Sequence, residues 1–529
     1  MALAFAPLVL LQWAASFVAA STLRTVGTYD TAYYYVVARN FARGRGLTDT
    51  VLWEFLGAPD TVARPAGAYW EIGWPLLLGS IMRVTGDSQR TALWICAALS
   101  GLLPLLTALV AHLATKRALV AWVAGLLVVT QIKLLPTNIT PDATSSYQLA
   151  CLGALAAYHA ARDRDLSPAR LLAAGAALAI PACIRGEGFV VALATLPLLF
   201  FTRERPRREN IKTTLLVLAG LALFLAPFTL RNLVVFGAAV PPGRSLRFWM
   251  TDYSDLYRFL SDPSPAAWWS QGIPTLARVR VAALVAHLRP LVSHFPWPVL
   301  VLATIGLGAH LRSARARAAA FPLFLALSLL VPTLLVPIVT SPDRYPTNIL
   351  PVLCILAAIA IVAARDALHA HLISPAQPRS RSHAVDAAVI ASSVAACALV
   401  FRGEVTAGTY IDILAAYRTT PPSLEAAPSL APLALGPDDV VLTDDPWRVA
   451  AALDVATIMR PLDGERALSA LVTRYRPRLL HVTRGSPLRT LVTTPHSPYR
   501  RLATTPDATW YQTVTPTRTA TGHDLPGLE

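Results

Sequence analysis

Apolar runs near bilayer length recur along most of the chain, and short basic loops separate them. They cover Ala4 to Leu23, Thr91 to Ala114, Ala118 to Leu135, Ala143 to Ala161, Leu171 to Cys183, Phe189 to Phe201, Thr213 to Leu230, Pro296 to Leu311, Phe321 to Val339, Ile349 to Ala363 and Ala387 to Phe401. This pattern predicts a multi-pass α-helical membrane protein of about eleven spans, the short fifth and sixth runs being alternatively one hairpin. Basic residues fill alternate loops: Lys116 and Arg117, then Arg162 to Arg170, Arg203 to Lys212, Arg312 to Arg317, and Arg365 to Arg381. Those loops are expected on the cytoplasmic side, with the N-terminus. The long polar loops 24–90 and 231–295 and the C-terminal tail then face outward.

The first outward loop opens with Val26 to Gly46. Asp30 follows the first span, so its carboxylate stands within a turn or two of the membrane surface. Tyr33, Tyr34, Val37, Ala38 and Phe41 recur at helical spacing, Arg39 and Arg43 share another face, and Gly44 and Gly46 end the run. The periodicity predicts an amphipathic helix lying on the interface. Asp30 is read either as its N-cap or as a catalytic carboxylate. The second loop carries Phe248, Trp249, Tyr253, Tyr257, Trp268 and Trp269, and interfacial helices are expected there.

After residue 402 the apolar pattern stops. A Pro-rich linker, 403–437, leads to an extracytoplasmic α/β domain, 438–529. Its expected strands are Asp439 to Thr443, Ala456 to Met459, Leu479 to Thr483, Arg500 to Thr504 and Thr509 to Val514. Its expected helices are Pro446 to Leu453 and Gly464 to Tyr475, the latter capped by Asp463.

Composition supports the membrane assignment: 54% of residues are hydrophobic and 15% charged, with mean hydropathy +0.50. The net charge of +15 belongs to the cytoplasmic loops, so no nucleic-acid partner is implied. The 5 cysteines all fall in apolar segments, and the 11 histidines show no ligand spacing, so no metal is expected.

The predicted topology gathers charges on one face. Lys133, Arg185, Arg231 and Arg344 all arrive on the outer side, together with Asp30, Asp142, Glu187 and Asp343. Ionisable groups at membrane depth are costly and either pair or act on ligands. Cations beside a carboxylate suit a phosphate or pyrophosphate. The alternative is local pairing, Arg185 with Glu187 and Arg344 with Asp343, as loop staples.

The order of Asp30, Tyr34 and Gly44-Arg45-Gly46, then Trp74-Pro75-Leu76-Leu77-Leu78, Ile184-Arg185-Gly186-Glu187-Gly188, Pro227 to Asn232 with Phe236-Gly237, and Arg344-Tyr345 with Pro351 resembles the GT-C glycosyltransferase superfamily. It is similar to the bacterial branch containing the protein O-mannosyltransferase, lipid A aminoarabinose transferase and lipopolysaccharide sugar transferase families. The resemblance covers residues 1 to about 364 of the 1–402 membrane domain. It implies a cell-membrane glycosyltransferase with a polyprenyl- or dolichyl-phosphate sugar donor and a lipid, glycan or protein acceptor on the outer face. Asp30 becomes the catalytic base, Lys133, Arg185, Arg231 and Arg344 the donor-phosphate ligands, and Tyr34, Asp142, Glu187 and Tyr345 supporting residues. Many members place a second acid directly after the base. Here Thr31 stands instead, so a bridging divalent cation has no acid pair, and no cofactor is expected. Two rival readings are a lipid-linked-sugar transporter and an inactive scaffold of the same fold.

Overall fold

The computed structural model describes residues 5–131, 133–163, 166–201, 206–293, 297–314, 319–335, 347–372, 387–388, 391–392, 414–415, 417–425, 430, 433–493 and 497–513. Asp343, Arg344, Tyr345 and most of the eleventh apolar run lie outside these residues. The chain forms two compact units. The first holds Met1–Asp49, Pro65–Leu256 and Ser261–Thr419, and the second Thr50–Arg64, Tyr257–Leu260 and Thr420–Glu529.

The first unit is helical. Its elements are α1 (Ala6–Ser21), α2 (Asp30–Ala42), α3 (Gly73–Thr85), α4 (Gln89–Ser100), α5 (Leu102–Thr115), α6 (Ala118–Val129), α7 (Leu134–Ile139), α8 (Ala143–Asp163), α9 (Pro168–Ile184), α10 (Val190–Phe200) and α11 (Arg207–Phe236). Then follow α12 (Pro242–Leu246), α13 (Pro265–Trp269), α14 (Ile273–Ser293), α15 (Trp297–Ala314), α16 (Ala320–Leu335) and α17 (Leu350–Leu372). Among the described residues, Gln89–Thr115, Arg207–Phe236 and Leu350–His371 are long and apolar enough to cross a membrane, and several shorter apolar helices accompany them. The fifth and sixth apolar runs are separate helices, α9 and α10.

Small residues let these helices approach closely, as membrane packing requires. A side-chain carbon on Gly175 of α9 would lie 1.9 Å from the Val217 carbonyl oxygen of α11. Reciprocally, one on Gly220 of α11 would lie 2.0 Å from the Leu172 oxygen. Gly101, between α4 and α5, leaves room for the Trp13 indole, which donates to the Ala98 carbonyl at 2.8 Å.

The helix predicted after the first span forms as α2, and Gly44 and Gly46 follow it with positive φ, but it does not lie on a surface. Thr31 through Asn40 are all buried. The cause is α3, whose Gly79 comes so near that an added carbon would sit 2.6 Å from the Ala38 oxygen. Arg39 is buried with its guanidinium over the Tyr35 ring, and Arg43 pairs with Asp87. The basic face is consumed by intramolecular contacts.

The second unit is an α/β sandwich. Strands β1 (Val51–Leu52), β2 (Val440–Thr443), β3 (Ala456–Met459), β4 (Leu479–Thr483), β5 (Tyr499–Thr504) and β6 (Ala508–Thr513) form one sheet in the order β1-β3-β2-β4-β6-β5. The first four are parallel, and β6 joins β4 and β5 antiparallel. Helices α18 (Pro446–Leu453) and α19 (Glu465–Tyr475) form where the 3.6-residue period predicts them. One face of the sheet buries Leu442, Ile458, Leu471 and Leu480, together with Leu52, Phe55 and Val62 from the Thr50–Arg64 segment. The other buries Val441, Val449, Leu479 and Trp510.

Asp445 caps α18, accepting from the Arg448 amide at 3.3 Å. Asp463 does not cap α19. Its carboxylate accepts from the backbone amides of Phe259 (3.1 Å) and Leu260 (2.7 Å). Two amides of a distant segment outcompete the local one, and α19 starts at Gly464 without a side-chain cap.

His481 gives this unit a pH dependence. It is 4% exposed, stacks on Trp510 at 4.5 Å and meets the Thr443 hydroxyl at 3.0 Å. Burial lowers its pKa to about 4, against the weaker opposite pull of Asp507 and Asp444. The unfolded chain, with an imidazole pKa of about 6.5, takes up the proton first. Stability from this group is therefore complete above about pH 6.5 and declines as the pH falls toward 4, by about 3 kcal/mol in total. The expected result is a melting temperature that drops across that window and a shallower drop in His481→Phe. Parallel slopes for the two proteins would contradict it.

Candidate active site

The site is built from the residues that follow α1. The chain leaves α1 at Ser21, turns through Gly27 (φ +94) and reaches Tyr29, whose φ of +53 and ψ of −128 lie where non-glycine residues rarely go. Such backbone costs about 1–3 kcal/mol and marks a position the surroundings over-determine. Asp30 comes next, as the first residue of α2, partly exposed. The Tyr33 amide donates to the Tyr29 carbonyl at 2.9 Å and the Thr31 hydroxyl to the Thr28 carbonyl at 2.7 Å, which sets the helix start.

Behind Asp30, Tyr33 and Tyr34 are each 2% exposed. Trp70 packs on both, its ring centre 4.6 Å from Tyr33 and 5.9 Å from Tyr34. Burial, then the charge of Asp30, pushes the Tyr34 phenol well above its ordinary pKa, while Arg185 pulls it down and Tyr33 and Asp142 push it up. Asp30, Arg185 and Asp142, from three separated stretches of chain, thus all contribute to the field at this buried hydroxyl.

Each partner is held in place. α9 contains Pro181 in its last turn and gives way to extended backbone at Arg185. The Arg185 Nε donates to Glu187 Oε1 at 2.5 Å, and the guanidinium lies over the Tyr147 ring at 5.8 Å. The predicted local pairing of Arg185 with Glu187 is therefore present, and it holds the guanidinium over Tyr147. Asp142 accepts from the Thr144 amide at 2.6 Å at the head of α8. With Trp74, Leu99, Asn138, Thr140 and Ser145 it lines a small pocket. Lys133, 5% exposed, immediately precedes α7.

Arg231 is placed differently from the other predicted cations. Its Nη2 donates to the Ala66 carbonyl at 2.6 Å and its guanidinium stacks on Phe236 at 5.6 Å, so it holds the Pro65–Glu71 stretch. Sequence reasoning missed three charged residues beside it. Arg244 donates to the Gly67 carbonyl at 3.0 Å and pairs with Glu71. Arg247 approaches Gly186 so closely that an added carbon there would lie 2.6 Å from its Nη2. Burial raises the Glu71 pKa, and Arg244 and then Arg247 oppose it. A Pro-Pro-Gly-Arg turn and an acid directly after Trp70 were the available signals, and neither names its partner. Arg185, Arg231, Arg244 and Arg247 together offer an anionic group several guanidinium donors.

The chain shares its fold with solved structures of two other proteins. ArnT from Cupriavidus metallidurans, bound to undecaprenyl phosphate, superposes with a TM-score of 0.58 at 16% identity, covering 96% of this chain and 97% of that one. The archaeal oligosaccharyltransferase AglB from Archaeoglobus fulgidus, in complex with an inhibitory peptide and a dolichol-phosphate, gives 0.60 at 13% identity, covering 90% of this chain and 69% of AglB. No family model and no curated protein sequence matches the chain.

Proposed function

We propose that the chain is an inverting glycosyltransferase that moves a sugar from a polyprenyl-phosphate donor to an acceptor hydroxyl on the outer face of the membrane. The placement of the partly exposed Asp30 carboxylate at the head of α2, after the strained Tyr29 and beside the buried rings of Tyr33, Tyr34 and Trp70, carries this reading. The fold supports it, because ArnT and AglB bind lipid phosphates in the structures that share the fold. The N-terminus and basic loops then lie in the cytoplasm, and the second unit outside.

Asp30 takes the proton of the acceptor hydroxyl as its oxygen bonds to the anomeric carbon. The bond from that carbon to the phosphate oxygen breaks, and the lipid phosphate leaves with the electron pair. Arg185 and Lys133 stabilise the charge growing on that phosphate, a role Arg344 shares by its place in the sequence. A single displacement inverts the anomeric centre, so no second nucleophilic carboxylate is needed.

The decisive measurement follows a labelled lipid-linked sugar in proteoliposomes. Covalent attachment to an acceptor supports the transferase; a change of leaflet without attachment supports the transporter instead. Mass analysis of lipid co-purified with the protein identifies the donor. In the same assay Arg185→Gln is expected to raise the donor KM about 10- to 100-fold, the worth of one or two charge-assisted hydrogen bonds. An unchanged KM would remove Arg185 from the phosphate site.

A further inference from the structure

We propose that Tyr417 is a positioning residue for Asp30, acting as a strap across the turn that carries it. The proposal rests on the catalytic role given to Asp30 above. The Tyr417 carbonyl accepts from the Arg24 amide (3.0 Å), the Thr25 amide (3.2 Å) and the Thr25 hydroxyl (3.4 Å). Its ring covers Gly27: a side-chain carbon there would lie 2.5 Å from Cζ and 2.8 Å from Cε2. From α4, Gln89 accepts from the Val26 amide at 3.0 Å, and Val26 is fully buried. Residues 24–27 are thus clamped between Tyr417 and Gln89.

Only Thr28 and Tyr29 separate this clamp from Asp30. On the far side α2 is fixed by its burial against α3. A two-residue link between two fixed points has little freedom, and the positive φ of Tyr29 is its consequence. Releasing the clamp lets Tyr29 relax to negative φ, and Asp30, the next residue, moves with it. Misplacement of a reacting group by about 1 Å costs on the order of 100-fold in rate. Glycine is required at 27 twice over, by its φ of +94 and by the Tyr417 ring. The contact joins residues 392 apart in sequence.

The experiment compares Tyr417→Ala, Tyr417→Phe and Gly27→Ala with the wild-type full chain in proteoliposomes. The readouts are kcat, donor KM, undecaprenyl phosphate binding and melting temperature. Tyr417→Ala and Gly27→Ala are expected to lower kcat about 10- to 100-fold with donor KM and lipid binding unchanged. Tyr417→Phe, which keeps the ring, is expected to restore kcat. Tyr417→Ala keeps the main-chain carbonyl and removes the ring over Gly27, and with that cover gone amide exchange at Arg24 and Thr25 should quicken. Where Tyr417→Ala melts too low to assay, Gly27→Ala and the exchange of its Arg24 and Thr25 amides decide alone. Wild-type kcat in Gly27→Ala and Tyr417→Ala, beside an inactive Asp30→Asn, overturns the strap and leaves the function standing. A loss that resides in donor KM or in lipid binding also overturns it. Full activity in Asp30→Asn removes the function itself.

Discussion

The Asp30→Asn substitution is expected to lower sugar transfer by about 10²- to 10⁴-fold, the range a positioned general base supplies. The substitution keeps size and the capacity to begin α2, so the melting temperature should stay close to wild type. It removes the carboxylate assigned to accept the acceptor's proton. Undecaprenyl phosphate binding should survive, because the cations that suit the phosphate are contributed by other elements. The loss therefore belongs in kcat. An Asp30→Asn protein that transfers sugar at the wild-type rate would make Asp30 no more than the first residue of a helix. A loss accompanied by lost lipid binding would instead place Asp30 in donor recognition.

Glu71→Ala is expected to cost about 3–5 kcal/mol of stability, since it leaves Arg244 buried without its carboxylate. Both side chains are largely out of solvent, Arg244 at 14% and Glu71 at 11% exposure. The pair also fixes α12 onto the Pro65–Glu71 stretch, where Arg231 and Arg244 donate to the adjacent carbonyls of Ala66 and Gly67. The measurement is the melting temperature in detergent of Glu71→Ala, Arg244→Met and the double variant. The double variant should recover part of the loss, because the uncompensated charge is gone. Single losses that simply add would show that the two side chains are not coupled.

Much of the architecture was legible in the residues themselves. A run such as Thr213 to Leu230 has no low-energy alternative to a helix in a bilayer, because its backbone groups must be satisfied within the segment. The short apolar run Val440 to Leu442 and the turn Asp444-Asp445-Pro446 after it likewise specify a strand and a capped helix by local chemistry. Asp30, Arg185 and Asp142 could be named because charges next to apolar runs are costly and stand out.

Contacts between distant stretches were not legible. The spacing of Tyr33, Tyr34, Val37 and Phe41 describes one face of α2, but only the approach of α3 through Gly79 makes both faces buried. Val51 and Leu52 carry no signal of joining a sheet whose other strands begin at residue 440, yet Leu52 packs in its core beside Ile458 and Leu480. Asp463 sits where a helix cap belongs, and the amides of Phe259 and Leu260 claim it. Periodicity and local hydrogen bonding thus determined, from sequence alone, which segments are helices and strands and which charges are expensive. Only the tertiary structure decided which surfaces meet and where each charge is spent, because partners hundreds of residues apart are selected by shape and burial, which no local pattern encodes.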